Sequence, residues 1–171
     1  MKSIILHSTF CILTGIVCGC SSSYSWRSSV PEAARTVAVP TFRNESKVQE
    51  IGALASRQLL REFQREGTFK IRPVGDAAIE VQGVIRSVSS PLTAIDRRAG
   101  GRVGAYDAVA KAAISVIDKR KGKVIVNNRK YEATTTFTSG QDRTTALRDM
   151  SGRLMDDLAR QVVDDILRLK W

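Results

Sequence analysis

The sequence predicts an α+β fold: one mixed, mostly antiparallel sheet of about four or five strands with two helices packed on one face. Three observations carry this expectation. Apolar residues alternate at period two over 78–88, 106–117 and 124–138; a long helical stripe occupies 144–169; and a β-branched run precedes an amphipathic helix early in the chain.

Thr36-Val37-Ala38-Val39-Pro40-Thr41-Phe42 is strand-forming and contains a proline, which cannot donate to a ladder and so marks the strand's end or a sheet edge. Ser46 and Gln49 stand at capping-box spacing ahead of Ile51, Leu54, Ala55, Gln58, Leu59 and Phe63. This predicts a helix to about Glu66, with Gly67 as its left-handed cap. Phe69, Ile71 and Val74 make a short extended piece, broken at Pro73 and Gly75, that belongs on a sheet edge. Ile79, Val81, Gly83 and Ile85 then share one face of a strand whose other face carries Glu80 and Gln82.

Ala108, Ala110, Ala112, Ile114 and Val116 repeat the pattern; the alanines would also suit a helix, and the alternation decides for strand. A charged turn over 118–123 leads into the last strand, which Asn127-Asn128 is expected to bulge. Along 144–169, Leu147, Met150, Leu154, Leu158, Val162, Ile166 and Leu169 recur every three or four residues. Asp149 with Arg153, Asp156 with Arg160 and Asp164 with Arg168 place an acid four residues before a base, so a surface ion-pair role is expected for them. Adjacent helix positions diverge by about 100°, which argues against Asp156-Asp157 or Asp164-Asp165 as a metal-binding or catalytic pair.

Residues 1–19 have the layout of a lipoprotein signal peptide. Lys2 is the positive end, Ile4 to Val17 is an apolar stretch too short to span a bilayer, and Val17-Cys18-Gly19-Cys20 precedes a serine run. Cys20 is the expected lipidation site in preference to Cys18, before which Ile16 and Val17 present β-branched side chains to a peptidase that takes small ones. An ordinary secretory leader is the alternative. Residues 20–34 read as a flexible, serine-rich tether and 35–171 as the folded domain. Each buried acyl CH₂ contributes about 0.8 kcal/mol, so two or three chains would hold the protein to a membrane.

The three cysteines, Cys11, Cys18 and Cys20, and the single histidine, His7, all fall within the first twenty residues. The mature domain is therefore left without disulfide, thiolate nucleophile or imidazole base. No cofactor, no metal and no enzymatic activity are expected.

The formal net charge of +10 predicts attraction to polyanions. Arg97, Arg98 and Arg102 lie in a loop with Gly100, Gly101 and Gly104, and Lys119, Arg120, Lys121 and Lys123 crown a hairpin. If the two loops share one end of the sheet, they form a polyanion site; solvated loops are the alternative. Nucleic acid is not an expected partner, because no aromatic stacking pair is interleaved with the basic runs.

Several segments together resemble the lipopolysaccharide-assembly outer-membrane lipoprotein family, LptE. Thr36 to Asn44 is similar to that family's opening "TVAVPxFxN"; Leu59 to Phe69 to its "L(R)xEFxRxGxF" helix end; Ser89-Ser90-Pro91-Leu92 to its "PL" after a central strand; and Asp157 to Leu167 to its terminal "DLAxxIVxxL". The resemblance implies a palmitate-bearing lipoprotein of the Gram-negative outer membrane, facing the periplasm. It would act as the plug and chaperone subunit of an LptD-type β-barrel translocon that moves lipopolysaccharide to the cell surface. Ser21 after the lipidated Cys20 agrees with outer-membrane sorting. A "VAVxxFxN" strand before a helix is also similar to periplasmic lipoprotein regulators of peptidoglycan synthases and to secretion-channel subunits, which remain the alternative.

Overall fold

The computed structural model describes residues 30–90, 92–96, 102–138 and 143–171; the leader, Cys20, Arg97 and Arg98 lie outside the described residues. Residues 30–34, expected as the end of a tether, are packed. Val30, ahead of a short turn over Glu32–Ala34, and Ala34 within it are buried, and Arg35 Nε donates to the Val30 carbonyl.

Among the described residues, seven strands form one sheet: β1 (Thr36–Ala38), β2 (Arg43–Asn44), β3 (Lys70–Ile71), β4 (Ile79–Ser89), β5 (Leu92–Asp96), β6 (Arg102–Asp118) and β7 (Lys123–Thr138). The order is β3-β1-β4-β6-β5, with β2 beside β4 and β7 beside β6. β2 and β5 are the strands beyond those expected; one is only two residues long, and the other follows Pro91 as a continuation alongside β6. β1 runs parallel to β3 and β4, because helix α1 (Ile51–Glu66) carries the chain back between them, while β4, β5 and β7 all run antiparallel to β6. β3 is the edge strand that the sequence suggested.

Ala108, Ala110, Ala112, Ile114 and Val116 of β6 are all buried, as the alternation requires. Their helical propensity loses to the ladders that β6 makes on both sides. Asn128 adopts φ 49° and donates its N–H to Ser115 Oγ at 2.9 Å, where the β6–β7 register slips; this is the expected bulge. Helix α2 (Arg143–Leu167) buries Leu154, Leu158, Val162 and Ile166 as foreseen, and also Met155, Ala159 and Val163. The second row exists because α2 packs against β6 and β7 on one side and α1 on the other.

The start of α1 differs from the expected capping box. Ser46 N–H and Oγ both bind Asn44 Oδ1 (2.9 and 2.7 Å), Asn44 Nδ2 donates to the Val48 carbonyl at 2.8 Å, and the helix begins only after Glu50, at φ 59°. Asn44 thus organises the turn, with Ser46 Oγ accepting the Val48 N–H at 3.3 Å. Gly67 is the left-handed cap at φ 83°, its N–H donating to the Phe63 carbonyl at 3.1 Å.

Phe42 joins these elements. Its N–H donates to Ser56 Oγ at 2.8 Å, its ring lies over Gly83 of β4, and its carbonyl presses on Gly52 of α1; added Cβ atoms would stand 2.3 and 2.2 Å from it, respectively. Ser56 Oγ also donates toward the carbonyls of Gly52 and Pro40. The sheet, the β1–β2 loop and the first helix are therefore fastened at one residue.

Candidate functional site

β6 decides how the basic residues are arranged. Arg102 and Gly104, expected in a loop, belong to this strand, which Arg102 begins; Lys119 follows its last residue, so Arg102 and the lysine turn stand at opposite ends of a 17-residue strand. At about 3.3 Å per residue this separates them by roughly 50 Å. The expected single polyanion site spanning both loops does not form, for that reason. The signal was in the sequence: one uninterrupted alternation lies between the two loops.

At the lysine end, Asp118 is 2% exposed and is the hub of the turn. It accepts Arg120 Nε and Nη2 at 3.0 and 2.7 Å and the backbone N–H groups of Arg120 and Lys121 at 3.0 and 3.3 Å. The Arg120 hydrogen bond, more than any other contact, holds the Asp118 carboxyl below its ordinary pKa. Lys119 Nζ stands 3.4 Å from buried Glu80, so Lys119 and Arg120 are engaged within the protein. Lys123 and Lys170 have no ion-pair partner among the described residues, and Lys121 reaches Asp118 only at 3.9 Å. A cavity of about 200 Å³ opens between them, lined also by Ile125 and Trp171. Lys170 and Trp171 were not singled out from sequence, since nothing local to the chain's last residues shows that they meet a turn some fifty positions earlier.

The other end carries a larger cleft, of about 590 Å³, between the starts of the two helices. Val48, Ile51, Leu54 and Leu147 supply apolar wall, and the exposed Lys47, Arg57 and Arg148 surround it. Helix α2 starts five residues after Thr138, which pairs with Ala105 near the Arg102 end of β6, so this cleft and Arg102 share one end of the domain. Cations beside an apolar wall suit an amphiphile with an anionic head.

The aspartates of α2 take structural roles, though not through the expected pairs. Arg160 binds Asp157 three residues before it, and Asp165 reaches across to Arg129 and to Tyr131 Oη, the latter at 2.6 Å. Tyr131 holds the Asp165 carboxyl low, while burial, reinforced by Asp165, pushes the Tyr131 phenol up. On the surface, the Arg86 hydrogen bond leads in lowering the Glu45 pKa. A group with a depressed folded pKa contributes stability above its unfolded value and loses it as pH falls through the folded one. Urea midpoints are therefore expected to hold between pH 7 and about 5 and to drop below about pH 4, with Asp118→Asn showing a shallower acid dependence.

Among the described residues, no group of three or more His, Cys, Asp or Glu side chains could hold a metal ion. Nor is any described helix long and apolar enough to cross a membrane.

A family model, LptE, described as lipopolysaccharide-assembly, matches residues 34–166. No curated protein matches the sequence. Among solved structures, the hypothetical protein CT253 from Chlamydia trachomatis is similar at a TM-score of 0.58 and 14% identity, covering 79% of this chain and 96% of that one. Protein XCC0632 from Xanthomonas campestris gives 0.57 at 10% identity, with 78% and 83% covered. A minor lipoprotein from Acinetobacter baumannii gives 0.51 at 13% identity, with 78% and 93% covered. At such identities the likeness is one of fold.

Proposed function

The chain belongs to the LptE lipopolysaccharide-assembly family, and on that premise we propose that it is a non-enzymatic, lipid-anchored subunit of the outer-membrane machinery that delivers lipopolysaccharide to the cell surface. The family match over residues 34–166 carries this reading, because it takes in β1 through nearly all of α2. Residues 1–19 act as the signal peptide, acylated Cys20 is the anchor on the periplasmic side, and an LptD-type β-barrel is the partner. Lipopolysaccharide contacts are assigned to the end with Arg97, Arg98, Arg102 and the adjoining cleft, where guanidinium forks match phosphate and the apolar wall suits acyl chains.

The lysine turn is left out of that contact by its distance from Arg102 along β6. Depleting the protein should trap lipopolysaccharide inside the cell, and detergent pull-down should recover one outer-membrane β-barrel. Reversing Arg97, Arg98 and Arg102 to Glu should weaken lipopolysaccharide binding about tenfold or more, each lost charged hydrogen bond being worth roughly 1.5 kcal/mol or above. Unchanged lipopolysaccharide binding and barrel recovery would refute the loop assignment; recovery of a peptidoglycan synthase instead of a barrel would refute the transport role.

A further inference from the structure

We infer that the end of the sheet carrying the β6–β7 turn is a docking surface for an anionic phospholipid bilayer, the membrane in which the proposed anchor sits. This rests on the anchored reading above, and it assigns a role to the end that lipopolysaccharide contact leaves unused.

One row of pairings runs Lys70–Thr36, Val37–Ile79, Ile79–Asp118 and Asp118–Lys123, which places β3, β1, β4, β6 and β7 side by side at this end. At about 4.8 Å per strand step, Lys70 and Lys123 lie roughly 19 Å apart. Lys121 and Lys170 join them, all four exposed. The acids at this end do not cancel them all: Asp118 is occupied by Arg120, Glu80 is paired with Lys119 and Glu66 accepts from Thr68, leaving Asp76 on the exposed β3–β4 loop and exposed Glu32 before β1 against the lysines and Arg35 and Arg72.

Apolar exposure falls in the same place. Val74 and Val124 are the large hydrophobic side chains exposed among the described residues, at 45% and 49%. Val124 follows Lys123 directly, and Val74 lies in the loop that returns to Ala78, whose carbonyl accepts the Lys119 N–H. Trp171 borders the cavity beside Lys170, its ring packed inward on Phe69. Lysines interspersed with a few exposed apolar side chains suit a headgroup layer, where each cation near an anionic surface adds attraction.

The position of the chain's start agrees. β1 begins at Thr36 in this same row, so the segment that would carry acylated Cys20 joins the fold at this end. Acyl chains on Cys20 would hold the protein to the membrane without fixing how the folded domain sits on it. Here the patch would orient the domain on its anchor, with Arg102 at the far tip of β6.

The test uses the chain from residue 20 onward with Cys20→Ser, which keeps every residue of the described core, Val30 to Ile166. Co-sedimentation should be found with vesicles of phosphatidylglycerol and phosphatidylethanolamine and not with vesicles of phosphatidylcholine. It should weaken as salt rises from about 0.05 to about 0.3 M. The Lys121→Glu, Lys123→Glu, Lys170→Glu triple variant should lose tenfold or more in binding while its melting curve stays unchanged. The control set Lys47→Glu, Arg57→Glu, Arg148→Glu at the opposite end should bind as the parent does. Equal binding to the neutral vesicles, an unaffected lysine variant, or a loss confined to the control set would overturn the inference. Palmitate labelling of full-length protein reads the Cys20 anchor separately, so a failed anchor and a failed docking surface give different results.

Discussion

Gly52→Ala is expected to destabilise the domain by about 3 kcal/mol or more, although alanine is ordinarily the better helix former by about 1 kcal/mol. The new Cβ would lie 2.2 Å from the Phe42 carbonyl oxygen. That atom is backbone, and Phe42 cannot retreat: its N–H is held by Ser56 and its ring occupies the space that a side chain at Gly83 would need. In a domain of this size such a loss lowers the melting temperature by roughly 10 °C, which calorimetry would register. Gly152→Ala is the matched control, since a Cβ there meets nothing within 4 Å and the substitution should be neutral to mildly stabilising. Equal effects of the two alanines would show that Phe42 is not the fastening point.

Phe63→Ala should cost about 3–5 kcal/mol. The side chain is fully buried on α1 and meets Phe69 edge to face, centroids 5.3 Å apart at 74°, and Phe69 in turn lies 6.2 Å from the Trp171 ring. Truncation leaves a cavity and ends the ring contact, so the loss should exceed that of Phe63→Leu by roughly 1 kcal/mol or more. Urea unfolding followed by tryptophan emission would read both variants, because Trp171 is packed at the end of the same aromatic row. A cost below about 1 kcal/mol for Phe63→Ala would mean that the surrounding core collapses into the space.

Much of this architecture was legible in local patterns. The alternation over β4 and β6, the α2 stripe, the Gly67 cap and the Asn128 bulge each depend on neighbours a few residues away, which is the range over which a periodicity or a turn residue acts. What escaped was decided at longer range. Ser46 joins a turn set by Asn44; Asp165, for which no pair was expected, binds Arg129 and Tyr131 across 36 and 34 residues; and Met155, Ala159 and Val163 are buried only because α2 has two neighbours. Val30 and Ala34 illustrate the same limit, since a serine-rich approach with no periodicity gives no sign that its last residues insert into the core.

The candidate site divided along the same line. Arg102 and the lysine turn were visible as basic clusters, yet their joint site was excluded by the strand between them, whose continuity could have been weighed from the sequence. The cleft beside Lys47, Arg57 and Arg148 draws on both helices, so no single stretch of sequence announces it.

The 17-residue length of β6 acts as a ruler. Because β6 is hydrogen-bonded on both flanks, to β4 and β5 on one and β7 on the other, it can neither stretch nor fold to bring its two tips to a common ligand. Whatever secures the lysine tip thereby fixes the standoff of the arginine tip, and lengthening or shortening this hairpin in two-residue steps would reset that reach while leaving the chemistry of either tip alone.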